Sequence, residues 1–211
     1  NRLLFCDSKK RIWAGGEMGI SVFNQVGTSL LPNTDFQIAS VLKQAFVNCF
    51  YETSSGYLWI GTRNGLFALK ESDKQFLQYT TENGLPSNVI YGILEDAYGR
   101  LWISTNQGLS CLNPESGKFR NFTIMDGLQG NQFNAGAYCR KDNGYMLFGG
   151  VNGITSFRPE TLIDNPYAPK PVINKLFVHN KEVLPDDETG ILKESITSVS
   201  YTHLRAHETV L

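Results

Sequence analysis

Polar side chains recur at two kinds of turn along this sequence, where amide and guanidinium groups could bind a polar ligand through hydrogen bonds. The first kind joins the second and third strands predicted in each repeated unit, and the second kind precedes the first strand of the next unit. We predict ligand contacts from Arg63, Asn64, Asn106, Gln107 and Asn152 in the first group and from Asn88, Asn131, Gln132 and Asn134 in the second. The same residues could serve only as turn formers. Either kind of turn could therefore form the binding end.

Catalytic chemistry has fewer candidates. Residues 1–158 contain no histidine, which excludes a His-based nucleophilic triad within them. The neighbouring carboxylates Glu95 and Asp96 are expected to project to opposite faces of a strand end, although two separated acids could still hydrolyse a glycoside. Because acidic residues recur at the turns of the repeat, we treat hydrolase or lyase activity as a minor alternative. We predict no catalytic residue and no cofactor for this segment.

A metal site is also disfavoured. His203 and His207 are four residues apart, but Glu208 falls outside the H-E-x-x-H arrangement and a third ligand is not evident. The four cysteines form no C-x-x-C pair. They are Cys6, Cys49, Cys111 and Cys139. We interpret them as small apolar residues packed inside strands, and we predict no metal.

A repeated unit must position the polar turns. One position recurs at spacings of 46, 43 and 45 residues, as Trp13, Trp59, Trp102 and Leu147 in turn. Short β-rich runs separated by glycine and polar turns predict four antiparallel strands per unit, and a period of about 40–45 residues with strands is typical of a propeller blade. We predict an all-β fold, a partial β-propeller of about four four-stranded blades near residues 1–45, 46–88, 89–131 and 132–158.

The tryptophans of the repeat have two interpretations. An aromatic face can stack on a ligand, whereas the Leu and Ile neighbours of Trp13, Trp59 and Trp102 favour packing between blades. We predict packing. The Asn64–Gly65 pair that follows Trp59 further predicts a hairpin turn of the tight Asn-Gly form.

The first and last units are less regular than the two between them. From Asn24 to Ala45 the pattern blurs, and a fourth strand is predicted there only by analogy with the later units. The last unit carries Leu147 in place of tryptophan, which predicts a terminal blade.

The charge balance limits the class of partner. Nineteen basic and twenty acidic residues give a net charge of −1. Without a basic surface for a phosphate backbone, we predict no nucleic-acid partner. No apolar run approaches the roughly 20 residues that span a bilayer, so we predict a membrane connection only through a segment outside this chain.

A second domain is predicted after the propeller. Residues 159–171 are rich in proline and predict a linker. Residues 172–199 begin with the alternation of a strand and predict the truncated start of a different β domain. Residues 200–211 resemble translated sequencing-adapter sequence, and we hypothesise that they form a non-native tail.

Three segments of the repeat closely resemble the two-component regulator propeller, namely residues 58–66, 83–88 and 95–105. The Pro-rich join is followed by residues 171–180 and 191–196, which resemble the start of the immunoglobulin-like triple-tyrosine domain that follows such propellers. The order of the two is itself a specific signal. The resemblance therefore implies that the partial propeller leads into the first strands of an immunoglobulin-like β-sandwich.

The resemblance also implies a function. It is to the sensor region of Bacteroides-type hybrid two-component system proteins, a periplasmic ectodomain of an inner-membrane protein that recognises glycan-derived oligosaccharides. Such a region relays its signal to a histidine kinase domain, which lies outside this chain. The implied partners are an oligosaccharide, the remaining propeller blades, the immunoglobulin-like domain and a second copy in a homodimer. A structural or protein-interaction propeller is the alternative.

Overall fold

The computed structural model describes residues 3–35, 37–70, 76–162, 176–178 and 181–183 of the chain. The chain divides into two compact units, residues 1–162 and residues 163–211. The first unit is a series of antiparallel sheets, each built from consecutive strands. This arrangement confirms the predicted all-β fold and its partial propeller.

Four sheets of the first unit follow one another along the chain. The first contains β1 (Leu3–Cys6), β2 (Arg11–Gly16), β3 (Gly19–Val26) and β4 (Ser29–Asn33). The second contains β5 (Val47–Glu52), β6 (Tyr57–Thr62), β7 (Gly65–Lys70) and β8 (Phe76–Tyr79). The third contains β9 (Ile90–Glu95), β10 (Leu101–Thr105), β11 (Gly108–Asn113) and β12 (Lys118–Phe122). The fourth contains β13 (Phe133–Arg140), β14 (Met146–Gly150) and β15 (Gly153–Phe157). We call these sheets blades 1 to 4.

The irregular units have simple structural explanations. The blurred stretch of blade 1 forms the expected fourth strand, β4, and then a five-residue helix, α1 (Gln37–Val41). Ile38 of this helix and the following Leu42 are buried in the same core cluster as Trp13. A helix thus fills part of the space beside blade 1, and its period of 3.6 explains why strand alternation is lost there. Blade 4 has three strands within the described residues.

The cores lie between successive blades, and tryptophan is central to each. Trp13, Trp59 and Trp102 are 0, 2 and 1% exposed. Each packs with residues of its own blade and of the next one, as Trp13 does with Phe50 and Leu58. The packing interpretation of these residues is therefore confirmed. Burial of three indoles at one repeated position is what holds neighbouring blades together.

The hairpin after Trp59 is not the predicted tight Asn-Gly turn. Thr62 pairs with Gly65, so the two turn residues are Arg63 and Asn64. Only Gly65 has a positive φ, at 117°. A type I′ turn needs positive φ at both turn residues, whereas here the glycine follows the turn, as in hairpins with a bulge. A Cβ at Gly65 would also meet the carbonyl oxygen of Tyr79 at 2.6 Å, which adds a reason for glycine.

A carboxylate at the end of the first strand of blades 2 and 3 links neighbouring blades. Glu95 accepts hydrogen bonds from the backbone N–H and the hydroxyl of Ser54, at 3.0 and 2.9 Å. Glu52 accepts the equivalent pair from Ser8, both at 2.7 Å. In blade 4 the same position is Arg140, whose guanidinium donates to the Glu95 carbonyl oxygen at 2.8 Å.

The second unit is described only at β16 (Leu176–Val178) and β17 (Lys181–Val183), which pair in an antiparallel hairpin. These strands fall within the predicted start of the second β domain. Its immunoglobulin-like character stays a prediction, as do the blade and linker boundaries. The hypothesised non-native tail, residues 200–211, lies outside the described residues.

The cysteines divide into two classes, which corrects the expectation that all four are packed inside strands. Cys49 and Cys111 are buried, whereas Cys6 and Cys139 are exposed, and all four are free thiols. Successive residues of a strand point to opposite faces of the sheet, and these two cysteines lie on the exposed faces of the first and last blades. Burial raises the pKa of the Cys49 thiol to about 12.

We expect thiol alkylation to follow this division. Iodoacetamide at pH 8 should modify Cys6 and Cys139 in the folded protein and leave Cys49 and Cys111 unmodified until denaturant is added. Because the raised pKa keeps Cys49 protonated, an increase to pH 9 should not add its modification. Peptide mass spectrometry measures each site. Modification of Cys49 at the rate of Cys139 in the folded state would contradict the expected burial.

Candidate functional site

The two groups of predicted ligand-binding residues lie at the same end of the blades. In an antiparallel pair the first strand begins where the second ends, and Val47 pairs with Thr62 in blade 2 while Ile90 pairs with Thr105 in blade 3. The turns after Thr62 and Thr105 are therefore beside the crossings that lead into the first strands. We call this the crossing end, and the opposite end of the blades the turn end.

At the crossings, two asparagines hold the backbone in place. The side-chain oxygen of Asn88 accepts from the Thr81 N–H at 2.8 Å, and its carbonyl oxygen accepts from the Gly65 N–H at 2.8 Å. Asn131 makes the equivalent contacts one blade later, with the N–H groups of Ile124 at 2.8 Å and Gly108 at 2.6 Å. Both residues have a structural task that accounts for their presence.

At the hairpins, the side chains are more available to a ligand. Arg63 and Asn64 are exposed, although the Arg63 guanidinium lies over the Phe46 ring at 3.8 Å from its centroid. Gln107 is exposed as well. The side-chain oxygen of Asn106 is buried and has no hydrogen-bond partner among the residues the structure describes.

The last junction is organised by a residue that the sequence did not single out. Gln129 donates from its amide nitrogen to the Gln132 carbonyl oxygen at 3.1 Å and accepts from the Asn152 N–H at 2.8 Å. Gln132, Asn134 and Asn152 are exposed. The nine predicted residues thus form two groups. Three lie where blades 2 and 3 meet, namely Arg63, Asn64 and Asn88, and six lie where blades 3 and 4 meet, namely Asn106, Gln107, Asn131, Gln132, Asn134 and Asn152. Their role in ligand binding stays a prediction.

The turn end carries a repeated Asp–Arg–Trp arrangement that the sequence reasoning missed. In blade 3, Asp96 accepts from the Trp102 indole N–H at 3.0 Å and from the Arg100 guanidinium at 2.7 Å. In blade 1, Asp7 accepts from Trp13 at 2.8 Å and from Arg11 at 2.6 Å. Both aspartates precede their tryptophan by six residues, and this repeated spacing could have identified the arrangement.

These carboxylates serve structure. Burial by itself raises the pKa of Asp7, but hydrogen bonds from Trp13 and Arg11 and the positive charge of Arg11 outweigh it, so the pKa lies below its usual value. Asp7 therefore stays charged at neutral pH and stabilises the fold, and this contribution is lost as the pH falls through the acid range below the ordinary aspartate pKa. The Asp96 carboxylate is likewise occupied by its neighbours.

Blade 2 departs from this arrangement. Thr53 occupies the aspartate position and Tyr57 the arginine position. The backbone of the turn shows this equivalence, because the Thr53 N–H donates to the Tyr57 carbonyl oxygen at 2.9 Å and the Asp96 N–H donates to the Arg100 carbonyl oxygen at the same distance. The Thr53 hydroxyl contacts Ser55 and the backbone of Tyr57 instead. The buried indole N–H of Trp59 consequently has no acceptor among the described residues.

A cleft opens beside this tryptophan, between blades 2 and 3 at the turn end. Its volume is about 350 Å³, and its lining includes Ser54, Tyr57, Trp59, Tyr79, Glu95 and Tyr98. The equivalent cleft between blades 1 and 2 is smaller, about 250 Å³, and is lined by Asp7 and Arg11. None of the nine predicted residues lines the cleft beside Trp59.

The described residues contain no group of three or more His, Cys, Asp or Glu side chains placed to hold a metal ion. Within the same residues, no helix combines the length and apolar character needed to cross a bilayer.

Two segments of the chain match a known repeat. Residues 42–64 and 84–107 match the two-component regulator propeller. These two segments run from the crossing into the second strand and hairpin of blades 2 and 3, so the match covers the core of the repeat rather than the whole chain.

Several known proteins are similar to this chain. Histidine kinase P4 of Formosa agariphila is 30% identical over 201 residues, which are 92% of this chain and 14% of that protein. The extracellular domain of BT3049 from B. thetaiotaomicron, assigned to the hybrid two-component systems, matches with a TM-score of 0.71 and 24% identity. The extracellular domain of BT4673 from the same organism, assigned to a one-component system, matches with a TM-score of 0.59 and 25% identity.

The match to the solved domains covers 87% of this chain for BT3049 and 75% for BT4673. It covers 26% and 24% of those domains. The chain therefore spans about a quarter of the extracellular domains and a smaller share of the histidine kinase. At these identities the likeness to BT3049 establishes the propeller fold, and the activity of the larger proteins is a separate question.

Proposed function

We propose that this chain is part of the extracytoplasmic sensor of a two-component histidine kinase. The observation that carries the proposal is the 30% identity to histidine kinase P4 across 92% of the chain. An identity sustained over nearly the whole chain includes the blades and the following unit together. The match of BT3049, an extracellular domain, supports the same location for the propeller fold.

We further propose that the sensor lies in the periplasm and recognises glycan-derived oligosaccharides, as the resemblance of the repeat implies. Exposed amide and guanidinium side chains at the crossing end, such as Asn64, Gln107 and Arg63, would donate and accept hydrogen bonds with sugar hydroxyls. In this proposal the homodimer and the remaining blades belong to the full-length protein, and ligand binding changes the balance between two states of the receptor.

The test of signalling uses the full-length gene product in membrane vesicles. The panel consists of oligosaccharides that the organism's own enzymes release from glycans. At least one of them should increase autophosphorylation, and it should bind the ectodomain without being consumed. Calorimetry measures binding, and chromatography of the recovered sugar measures turnover. Turnover would favour a catalytic propeller, and absence of any kinase response across the panel would contradict the sensor proposal.

The location can be tested with the exposed thiols of this chain. In intact cells, a maleimide that does not cross the inner membrane should label Cys6 and Cys139 if the segment is periplasmic. The matched control is the Cys6→Ser and Cys139→Ser double variant, which removes both reactive thiols. Labelling that appears only after the inner membrane is permeabilised would contradict the periplasmic location.

A further inference from the structure

We propose that the cleft between blades 2 and 3 beside Trp59 binds a small, neutral, hydroxyl-rich ligand such as one uncharged sugar ring. The inference rests on the proposed sensor function for its biological meaning, but the binding itself is a property of the cleft. It places a ligand at the turn end, away from all nine residues that the sequence indicated.

The first argument is an unsatisfied donor. Trp59 is 2% exposed, and its indole N–H has no acceptor among the described residues. An unpaired buried donor costs about 1–3 kcal/mol. The equivalent N–H groups of Trp13 and Trp102 are both satisfied by an aspartate. Blade 2 is therefore the blade in which the structural acceptor is missing. Because this N–H is itself buried, a ligand oxygen accepts from it only if the cleft wall moves.

The second argument is the size of the cleft. The charged Arg11 lines the equivalent cleft between blades 1 and 2, whereas the uncharged Tyr57 lines this one. The cleft beside Trp59 is about 100 Å³ larger than its equivalent between blades 1 and 2, as the volumes of about 350 and 250 Å³ show. Ligand pockets begin at about 300 Å³, so the larger cleft suits a ligand of one or two rings.

The third argument is the chemistry of the lining. Tyr57, Trp59, Tyr79 and Tyr98 supply aromatic surface. Tyr98 is 66% exposed, and the Arg100 guanidinium lies over its ring at 5.1 Å from the centroid. Burial, and then the neighbouring Tyr57 hydroxyl, raise the pKa of Tyr79, which keeps its hydroxyl a neutral donor. Aromatic faces beside hydrogen-bonding groups are suited to a sugar ring, which has apolar C–H faces and a polar edge.

The charges of the lining select against anions. Glu95 and Glu115 line the cleft, and its lining includes no Lys, Arg or His among the described residues. The Glu95 carboxylate is already occupied by Ser54, whereas Glu115 is exposed and can accept hydrogen bonds from hydroxyl groups. Two cations lie over rings of the lining, Lys70 at 5.2 Å from the Tyr57 ring and Arg100 at 5.1 Å from the Tyr98 ring. Because Arg100 is already paired with Asp96, we expect the lining carboxylates to prevail, to repel a uronate or a sulfated sugar and to favour an uncharged ligand.

The experiment is calorimetry on the complete ectodomain of the gene product, with glucose, galactose, xylose and cellobiose as neutral probes and glucuronate and galacturonate as acidic ones. We expect binding of at least one neutral probe and none of the acidic ones. Tyr98→Ala should weaken the association about three- to tenfold through lost ring contact. Trp59→Phe keeps the ring packing, removes the N–H and should weaken the association about fivefold.

A further variant restores the structural arrangement of the other blades. Thr53→Asp combined with Tyr57→Arg would give Trp59 the acceptor that Trp13 and Trp102 have, make the lining resemble that of the smaller cleft between blades 1 and 2, and abolish binding while the protein stays folded. The matched control is Asp142→Ala, because Asp142 is exposed in the corresponding turn of blade 4. This variant should bind the neutral probe with the affinity of the parent protein. Circular dichroism confirms that each variant is folded.

The outcomes separate the cleft from the sensor function. If no neutral probe binds, if an acidic probe binds as well as a neutral one, or if Asn64→Ala weakens binding and Tyr98→Ala does not, the cleft assignment is wrong. The sensor proposal is decided independently by the kinase response in vesicles. A kinase that responds to sugar in all cleft variants as in the parent would leave the function standing and overturn the assignment of this site.

Discussion

Asp96→Ala should lower the free energy of unfolding of the propeller part by about 3 kcal/mol. The Asp96 side chain is fully buried and accepts four hydrogen bonds: from the N–H groups of Tyr98 and Arg100, both at 2.9 Å, and from the Arg100 guanidinium and the Trp102 indole. Its loss leaves the buried Trp102 N–H unpaired and releases the turn. Arg100 is 31% exposed and recovers part of its hydration, which limits the loss.

The measurement is urea unfolding followed by tryptophan fluorescence. Asp142→Ala is the control, since this aspartate is exposed in the corresponding turn of blade 4. It should change the free energy of unfolding by less than about 0.5 kcal/mol. Equal destabilisation by the two substitutions would show that Asp96 has no special structural role. Asp7→Ala in blade 1 should reproduce the Asp96 effect, because its contacts are equivalent.

Gly108→Ala should be about as harmful, lowering the free energy of unfolding by about 3 kcal/mol. Gly108 follows the hairpin of blade 3 with a φ of 112°, a region that alanine rarely adopts. A Cβ there would also overlap the carbonyl oxygen of Phe122, which belongs to the backbone and cannot rotate away. The N–H of Gly108 donates to the Asn131 carbonyl, so the strain would reach the crossing as well.

Gly117→Ala is the matched control for this prediction. Gly117 also has a positive φ, of 66°, but a Cβ would meet no atom within 4 Å. It should cost about 1 kcal/mol, the price of the left-handed backbone alone. Thermal unfolding of both variants gives the comparison. If the two glycines proved equally sensitive, the close approach of Phe122 would not be a determinant of stability.

In the proposed sensor, a ligand signal would pass through the contacts between neighbouring blades, and Glu52 and Glu95 link successive blades. A bound ligand would then add the most stability to blade 2, where the buried indole N–H lacks an acceptor. Thr53 marks that blade.

The sequence by itself determined the repeat, the strands and the buried tryptophans. Period and alternation are local properties, and each blade is made from consecutive strands, so a pattern of about 43 residues was enough to predict them. The glycine of each hairpin was likewise predictable, because the need for a positive φ depends only on the local backbone conformation. The form of the turn around Asn64 was not, since the position of a glycine relative to the paired residues depends on the strand register.

Only the tertiary structure decided which polar residues are occupied and which are available. Asn88 and Asn131 looked like ligand contacts, but their oxygens hold the backbone of the neighbouring turns. Asp96 looked like a turn residue, but it satisfies a buried indole. The physical reason is that hydrogen-bond partners are set by contacts across turns and between blades. The indole N–H of Trp59 is unpaired because the residue six positions earlier is a threonine. This difference is recognised only by comparison with Asp7 and Asp96, which accept from the equivalent indoles.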